Sequence, residues 1–221
     1  MPPAISTAHA GLAEIFFCLT VAIALFTSPG WIDGYNRGNG PGGDVSPSLR
    51  RLATLTTILI YSQILIGATM RHTGAGLAIP DFPWMFGHVV PDHWDPKIAI
   101  HFAHRLGALV VTLGIGATAA CVWWRHPGRR ELTRPAVVLV ALVAVQVTLG
   151  ALTVLSRRDP WINSVHVVCG ALVLTTSLVL TLRSWRDSIA DRGMRIADQP
   201  SRQFDGIRIP QSAVRNGGAR A

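Results

Sequence analysis

The sequence predicts an all-α membrane protein of five transmembrane helices, in which spans two to five form a four-helix bundle and one extra helix precedes them. Three observations carry this reading. Apolar and aromatic residues make up 49% of the 221 residues and charged ones 14%, where a soluble domain carries about 25% charged residues. The acidic residues are nearly all confined to polar gaps between long apolar runs, as hydrocarbon requires. The runs number five, each about 19 to 27 residues long, and about 20 helical residues at 1.5 Å each cross a hydrocarbon core of about 30 Å.

The first run, Ala8 to Ser28, holds Glu14, the one carboxylate well inside a span. His9 lies five residues earlier, about 140° round the helix. Glu14 reads equally as a partner for a group outside this chain or as a buried, protonated acid. Residues 1–28 form the first segment, followed by a linker over 29–51 rich in Gly and Pro. The second run, Leu52 to Met70, contains Gln63-x-x-x-Gly67-Ala68, and the fourth, Pro135 to Leu155, contains Gln146-x-x-x-Gly150-Ala151. Gln is costly in lipid, so the repeated pattern marks a helix face packed on neighbours, with Gly allowing close approach and Gln finding a hydrogen-bond partner. The third run, Ile98 to Trp124, holds His101, His104 and Arg105; the fifth, Ile162 to Leu182, holds His166. Residues 52–183 are expected to form the four-helix unit, and 184–221 a polar, disordered cytoplasmic tail.

Lys and Arg number 3 in the first loop, 4 in the third and 8 from Arg183 onward, against 4 on the other side. The positive-inside rule therefore puts the N-terminus outside and the C-terminus in the cytoplasm. No basic n-region precedes the first run, which points to a bacterial inner membrane. The outer loop from Arg71 to Lys97, with its Gly, Pro and aromatic residues, reads as an ordered lid, and Trp84 and Trp94 suit the interfacial belt. The expected partner is membrane lipid rather than nucleic acid, despite a net charge of +8. The three scattered cysteines support neither a disulfide framework nor a zinc site.

The ends of the chain repeat each other: Pro3-Ala-Ile-Ser-Thr-Ala-His9 matches Pro160-Trp-Ile-Asn-Ser-Val-His166. Span five then repeats span one, the period is a four-helix unit, and span one is the last helix of an earlier unit. His104 and His166 fall at similar depths, about 6 to 9 Å from the outer ends of their spans. Two imidazoles at matched depth inside a bundle suit axial ligation of one haem, with Ala103, Gly107, Ala108, Gly170 and Ala171 leaving room for the macrocycle. A hydrogen-bonded packing role for the same histidines stands beside that reading. Arg105 would pair with a haem propionate, snorkel, or bond to backbone carbonyls. His101 would orient propionates, bind substrate or face the outer water.

These residues resemble the haem A synthase family, membrane enzymes of cytochrome oxidase assembly built from two homologous four-helix halves. The resemblance is carried by Gln63-Ile-Leu-Ile-Gly-Ala-Thr-Met-Arg-His-Thr-Gly-Ala-Gly-Leu77, Pro80-Asp-Phe-Pro83, His104-Arg105, Gln146-Val-Thr-Leu-Gly-Ala-Leu-Thr-Val154 and His166, in the family's order from about Gln63 to Leu182. It implies that spans two to five are the C-terminal half, with His104 and His166 holding a haem b, and that His9 is the second ligand of the other half's haem site. It also implies oxidation of the C8 methyl of haem O to the formyl group of haem A. The Glu-x-x-His-Arg motif of the family's first half has no counterpart here, and His101 stands at the Glu position of that motif. Ile79 and Met85 stand where some members carry cysteines. Haem O synthase, assembly factors and a second copy of the chain are the partners left open. A bis-histidine cytochrome b carrier and a haem-free assembly partner remain the alternative functions.

Overall fold

The computed structural model describes residues 2–36 and 45–197, with side chains for 2–32 and 45–186. The described residues form six helices and no strand: α1 (Pro3–Phe26), α2 (Pro29–Asn36), α3 (Pro47–His72), α4 (Pro96–Arg125), α5 (Arg130–Leu155) and α6 (Pro160–Ala197). All except α5 begin on a proline, whose fixed φ and missing N–H suit a first helical turn. Side chains finish the starts. Asp95 Oδ1 accepts from the N–H groups of Lys97 and Ile98 at 2.7 and 2.9 Å, and Asp159 Oδ1 from those of Trp161 and Ile162 at 2.9 and 3.1 Å.

Five helices, α1 and α3 to α6, are long and apolar enough to cross a membrane, and the protein is a multi-pass membrane protein. Two boundaries differ from the sequence reading. Part of the linker is helical, as α2, while residues 37–44 lie outside those described. The last span does not stop at Leu182: helix continues to Ala197, so the first part of the expected disordered tail is helical, and residues 198–221 lie outside those described. Side-chain anchoring explains the extension as far as Arg186. Trp185 Nε1 donates to Thr54 Oγ1 at 3.0 Å, and the Arg50 guanidinium stacks 5.4 Å above the Trp185 ring. From Asp187 the chain forms a separate unit.

Helix α3 packs on α4, and α4 on α5. α6 completes the bundle through Ser177 and Thr181, whose hydroxyls lie 2.8 and 2.9 Å from Thr57 Oγ1 on α3, and through Cys169, whose Sγ contacts the Leu142 carbonyl on α5 at 3.6 Å. α1 stands alongside α3, with Tyr61 Oη donating to the Gly11 carbonyl at 3.3 Å; a Cβ at Gly11 would stand 2.9 Å from Leu65 Cδ2. This is the four-helix bundle with span one alongside that the apolar runs predict.

Packing is uneven along the bundle. Leu49, Ile60, Ile115, Ala119, Val122, Leu132, Ala136, Leu139, Val173, Leu174 and Leu180 form one continuous core at the end of the bundle away from the loop 73–95. Thr56 and Thr118 bond to each other inside it at 3.0 Å. Pro135 lies inside α5, where its missing N–H leaves the Glu131 carbonyl without its helical partner. Arg183 Nη1 from α6 donates to that carbonyl at 2.8 Å.

Candidate functional site

Toward the loop 73–95 the residues of the bundle are less fully buried. None of residues 61–74, 102–110, 144–153 or 155–168 is buried, although all four bundle helices run through this level. His104 on α4 and His166 on α6 occupy it.

Each histidine rests on a partner helix in the same way. A Cβ at Gly67 on α3 would stand 2.8 Å from His104 Cε1, and a Cβ at Gly150 on α5 would stand 3.2 Å from His166 Cε1. Only a residue without a side chain lets the ring lie edge-on against that backbone at Gly67. One turn before each glycine sits the glutamine. Gln63 Nε2 lies 3.0 Å from His104 Nδ1 and donates to the His104 carbonyl at 2.6 Å. Its Oε1 is buried without a partner and lies against Gly107, where a methyl group would overlap it. Across the bundle, Gln146 Nε2 lies 3.2 Å from where a Gly170 Cβ would stand. Gln146 Oε1 and His166 Nδ1 are both buried without a hydrogen bond of good geometry, the Gln146 main-chain carbonyl lying alongside the ring.

The glycines of the repeat seat a histidine in both hairpins, Gly67 of α3 under His104 of α4 and Gly150 of α5 under His166 of α6, while of the two glutamines only Gln63 bonds its histidine. The repeat shows in the sequence, but its target does not. Gly107 and Gly170 lie against the amides of Gln63 and Gln146.

The loop above the site is ordered around Arg105. Its Nη2 donates to the carbonyls of Ile79 and Asp81 at 3.1 and 2.7 Å and its Nη1 to that of Trp84 at 3.0 Å, while its Nε lies 3.2 Å from His101 Nε2. Of the readings open for Arg105, bonding to backbone carbonyls is the one observed. His101, 2% exposed, does not face outer water; Nδ1 of its ring meets the Ile79 N–H at 3.2 Å. Asp81 pins the next turn by accepting from the N–H groups of Phe86 and Gly87, both at 2.9 Å. Partial desolvation pushes its carboxyl up, but those two N–H groups and the Arg105 charge outweigh it and hold the carboxyl below its ordinary value.

His9 is exposed on α1, and no described contact joins it to His104 or His166. Glu14 Oε2 is buried and without a hydrogen-bond partner.

The residues present fit a haem. Two imidazoles from different helices, those of His104 and His166, lie in the part of the bundle nearest the loop 73–95, and buried polar atoms beside both rings, Gln63 Oε1 and His166 Nδ1, lack partners, a donor set that suits a haem. The described residues contain no group of three or more His, Cys, Asp or Glu that would hold a bare ion.

Residues 1–178 match the family described as cytochrome oxidase assembly protein. The chain belongs to that family. Curated relatives within reach of it are called haem A synthase. The protein of Symbiobacterium thermophilum is 29% identical over 196 residues, 86% of this chain and 62% of the relative. That of Sinorhizobium medicae is 32% identical over 76% of this chain and 47% of its own length, and that of Shouchella clausii 30% identical over 63% and 47%. This member of the cytochrome oxidase assembly family therefore spans about half to three fifths of the length of the curated relatives it matches.

Proposed function

We propose that this chain holds one haem b, with His104 and His166 as axial ligands, and serves as the haem b-binding half of a haem A synthase, an oxidoreductase that converts the C8 methyl of haem O to the formyl group of haem A. The observation that carries the reading is the pair of imidazoles on α4 and α6, each seated on a glycine of the neighbouring helix. Haem b bound there supplies reversible one-electron chemistry. The chain's own residues supply the rest. Gly67 and Gly150 set ring position, Arg105 and His101 hold the loop 79–84 over the site, and the packed far end of the bundle keeps the two helix hairpins in register. His9 on the exposed face of α1 is the second ligand of the partner half's haem site. The Lys and Arg distribution supports a bacterial inner membrane with the N-terminus and the loop 73–95 outside.

The test is the absorption and EPR spectrum of the purified chain. It should show one low-spin haem b, which His104→Ala and His166→Ala should each remove. If both variants kept that signal, the ligand assignment would be wrong. Supplying haem O and assaying haem A separates the synthase from a bis-histidine cytochrome b carrier, and a preparation without Soret absorbance would be a haem-free assembly partner.

A further inference from the structure

We propose that the end of the bundle away from the loop 73–95 carries a binding site for the headgroup of an anionic phospholipid, built by Arg130 and Arg134 of α5 with Arg183 and Arg186 of α6. The site lies apart from the two histidines and does not depend on a haem being held between them.

A cavity of about 620 Å³ opens there between the end of α1, the start of α2, the start of α5 and the far part of α6, and all four arginines line it. Arginine at helix ends is ordinary on the cytoplasmic side of a membrane protein, where single side chains snorkel to water. What sets these four apart is that they converge on one space. Arg130 and Arg134 share a face of α5 one turn apart, and Arg183 and Arg186 do the same on α6. Val138 and Val179 also line the cavity, and each lies one turn further into its span than Arg134 and Arg183. Charge therefore stands at the rim and apolar surface deeper in, the order in which a phospholipid presents its headgroup and its acyl chains.

The charge at the rim is not cancelled from within. Glu131 is the one carboxylate among the lining residues, and its Oε1 already accepts from Arg129 Nε at 2.6 Å. Arg183 spends Nη1 on the Glu131 carbonyl at 2.8 Å, one of the five N–H groups a guanidinium carries. Arg186 is placed over the Trp31 ring, 6.0 Å from its centroid, and Trp suits the interfacial depth. Arg130 and Arg134 are exposed, and among the described residues neither side chain has a hydrogen bond or an ion pair. A guanidinium matches a phosphate with two parallel N–H bonds, and basic pockets between membrane helices on the cytoplasmic side take anionic headgroups. A zwitterionic headgroup would bring its own cation against four others.

The experiment uses the full 221-residue chain in detergent, with lipid retention read by native mass spectrometry. The probes are phosphatidylglycerol and phosphatidylcholine of the same acyl chains. Wild type should retain phosphatidylglycerol in preference. The double variant Arg130→Gln, Arg134→Gln should weaken that retention roughly 30-fold, about fivefold for each cation lost, and leave phosphatidylcholine as it was. Removing two cations at the other end, with Arg71→Gln and Lys97→Gln, should change neither. If the first double variant fails to accumulate, Arg134→Gln alone should show a loss of about fivefold. Equal retention of the two lipids by wild type, or equal loss of phosphatidylglycerol in both double variants, would overturn the site. Displacement of the lipid by inorganic phosphate, but not by chloride at the same ionic strength, would make a free anion the ligand and overturn the lipid assignment.

Discussion

Arg183 on α6 completes the hydrogen bonding that Pro135 on α5 leaves open, its Nη1 lying 2.8 Å from the Glu131 carbonyl four residues before the proline. A proline inside a helix costs about 3 kcal/mol through its clash and its missing N–H, and in lipid the orphan carbonyl has no water to turn to. A guanidinium is well suited to the repair, being permanently charged and rich in donors. The bond ties α5 to α6 next to Leu132 and Ala136, both fully buried.

Arg183→Ala should therefore lower the thermal stability of the detergent-solubilised protein by about 1.5–3 kcal/mol, the range for a hydrogen bond to a charged group. In a Pro135→Ala background, where residue 135 can donate to Glu131 itself, the same change should cost less. A double-mutant cycle reads the difference as a coupling energy. Strict additivity would show that Arg183 stabilises by some other route.

The contrast between legible and hidden features follows from range. Apolar run length is local, and it placed all five spanning helices. Spacing within one helix is local too, so Gln63 with Gly67 and Gln146 with Gly150 stood out as a repeat. What the repeat holds lies 41 residues from Gln63 in the chain, and nothing local points there. The same limit hid the Arg183 repair, since Pro135 in an apolar run reads as a helix start until the fold brings α6 to it. Helix extension past Leu182 depended on Trp185 meeting Thr54, a pairing across the bundle. Placing His104 and His166 near the same end of the bundle needed only depth, because in a membrane sequence position converts into a spatial coordinate, a conversion a soluble fold does not offer.

His126 makes stability at the end of α4 depend on pH. Its ring is buried, and Nε2 lies 3.2 Å from Ser46 Oγ at the start of α3. Burial, then the charges of Arg129 and Arg125, hold its pKa below the ordinary value of 6.5. A depressed folded-state value means the unfolded chain binds the proton first, so this contribution is complete above about pH 6.5 and is lost as pH falls through the folded value. Melting curves at pH 7.5 and 5.0 should show wild type losing more stability on acidification than His126→Asn. Equal losses in both would remove His126 as the cause.

Gly67 and Gly150 should be far less replaceable than Gly116, where an added Cβ meets nothing within 4 Å. Ala at Gly116 should be neutral or slightly stabilising, by up to about 1 kcal/mol, from helix propensity alone. Ala at Gly67 must push the His104 ring, whose Cε1 would lie 2.8 Å away, and Gly150→Ala would crowd His166 more mildly at 3.2 Å. Haem retention should accordingly fall most for Gly67→Ala, less for Gly150→Ala and not at all for Gly116→Ala. A flat series would mean that the rings do not need these seats.

The loop over the site is held by Arg105 as well as by the buried side chains of Ala75 and Ile79. Three backbone carbonyls, of Ile79, Asp81 and Trp84, converge on one guanidinium, while Phe82 and Trp84 themselves are 40% and 54% exposed. Lys at this position keeps the charge but presents a compact ammonium, which cannot span three carbonyls and His101 at once. Arg105→Lys should leave helix content unchanged, yet speed amide hydrogen exchange over residues 79–87. Asp81→Asn tests the neighbouring turn. It weakens the bonds from Phe86 and Gly87 without touching Arg105's contact to the Asp81 carbonyl, so faster exchange should be confined to residues 85–88. Because the Asp81 carboxyl sits below its ordinary value of 3.8, wild type should keep that turn at neutral pH and lose it only as pH falls through the depressed value. Unchanged exchange in Arg105→Lys would show that the loop is held from elsewhere, and the arginine would then be free to serve an anionic group of the ligand.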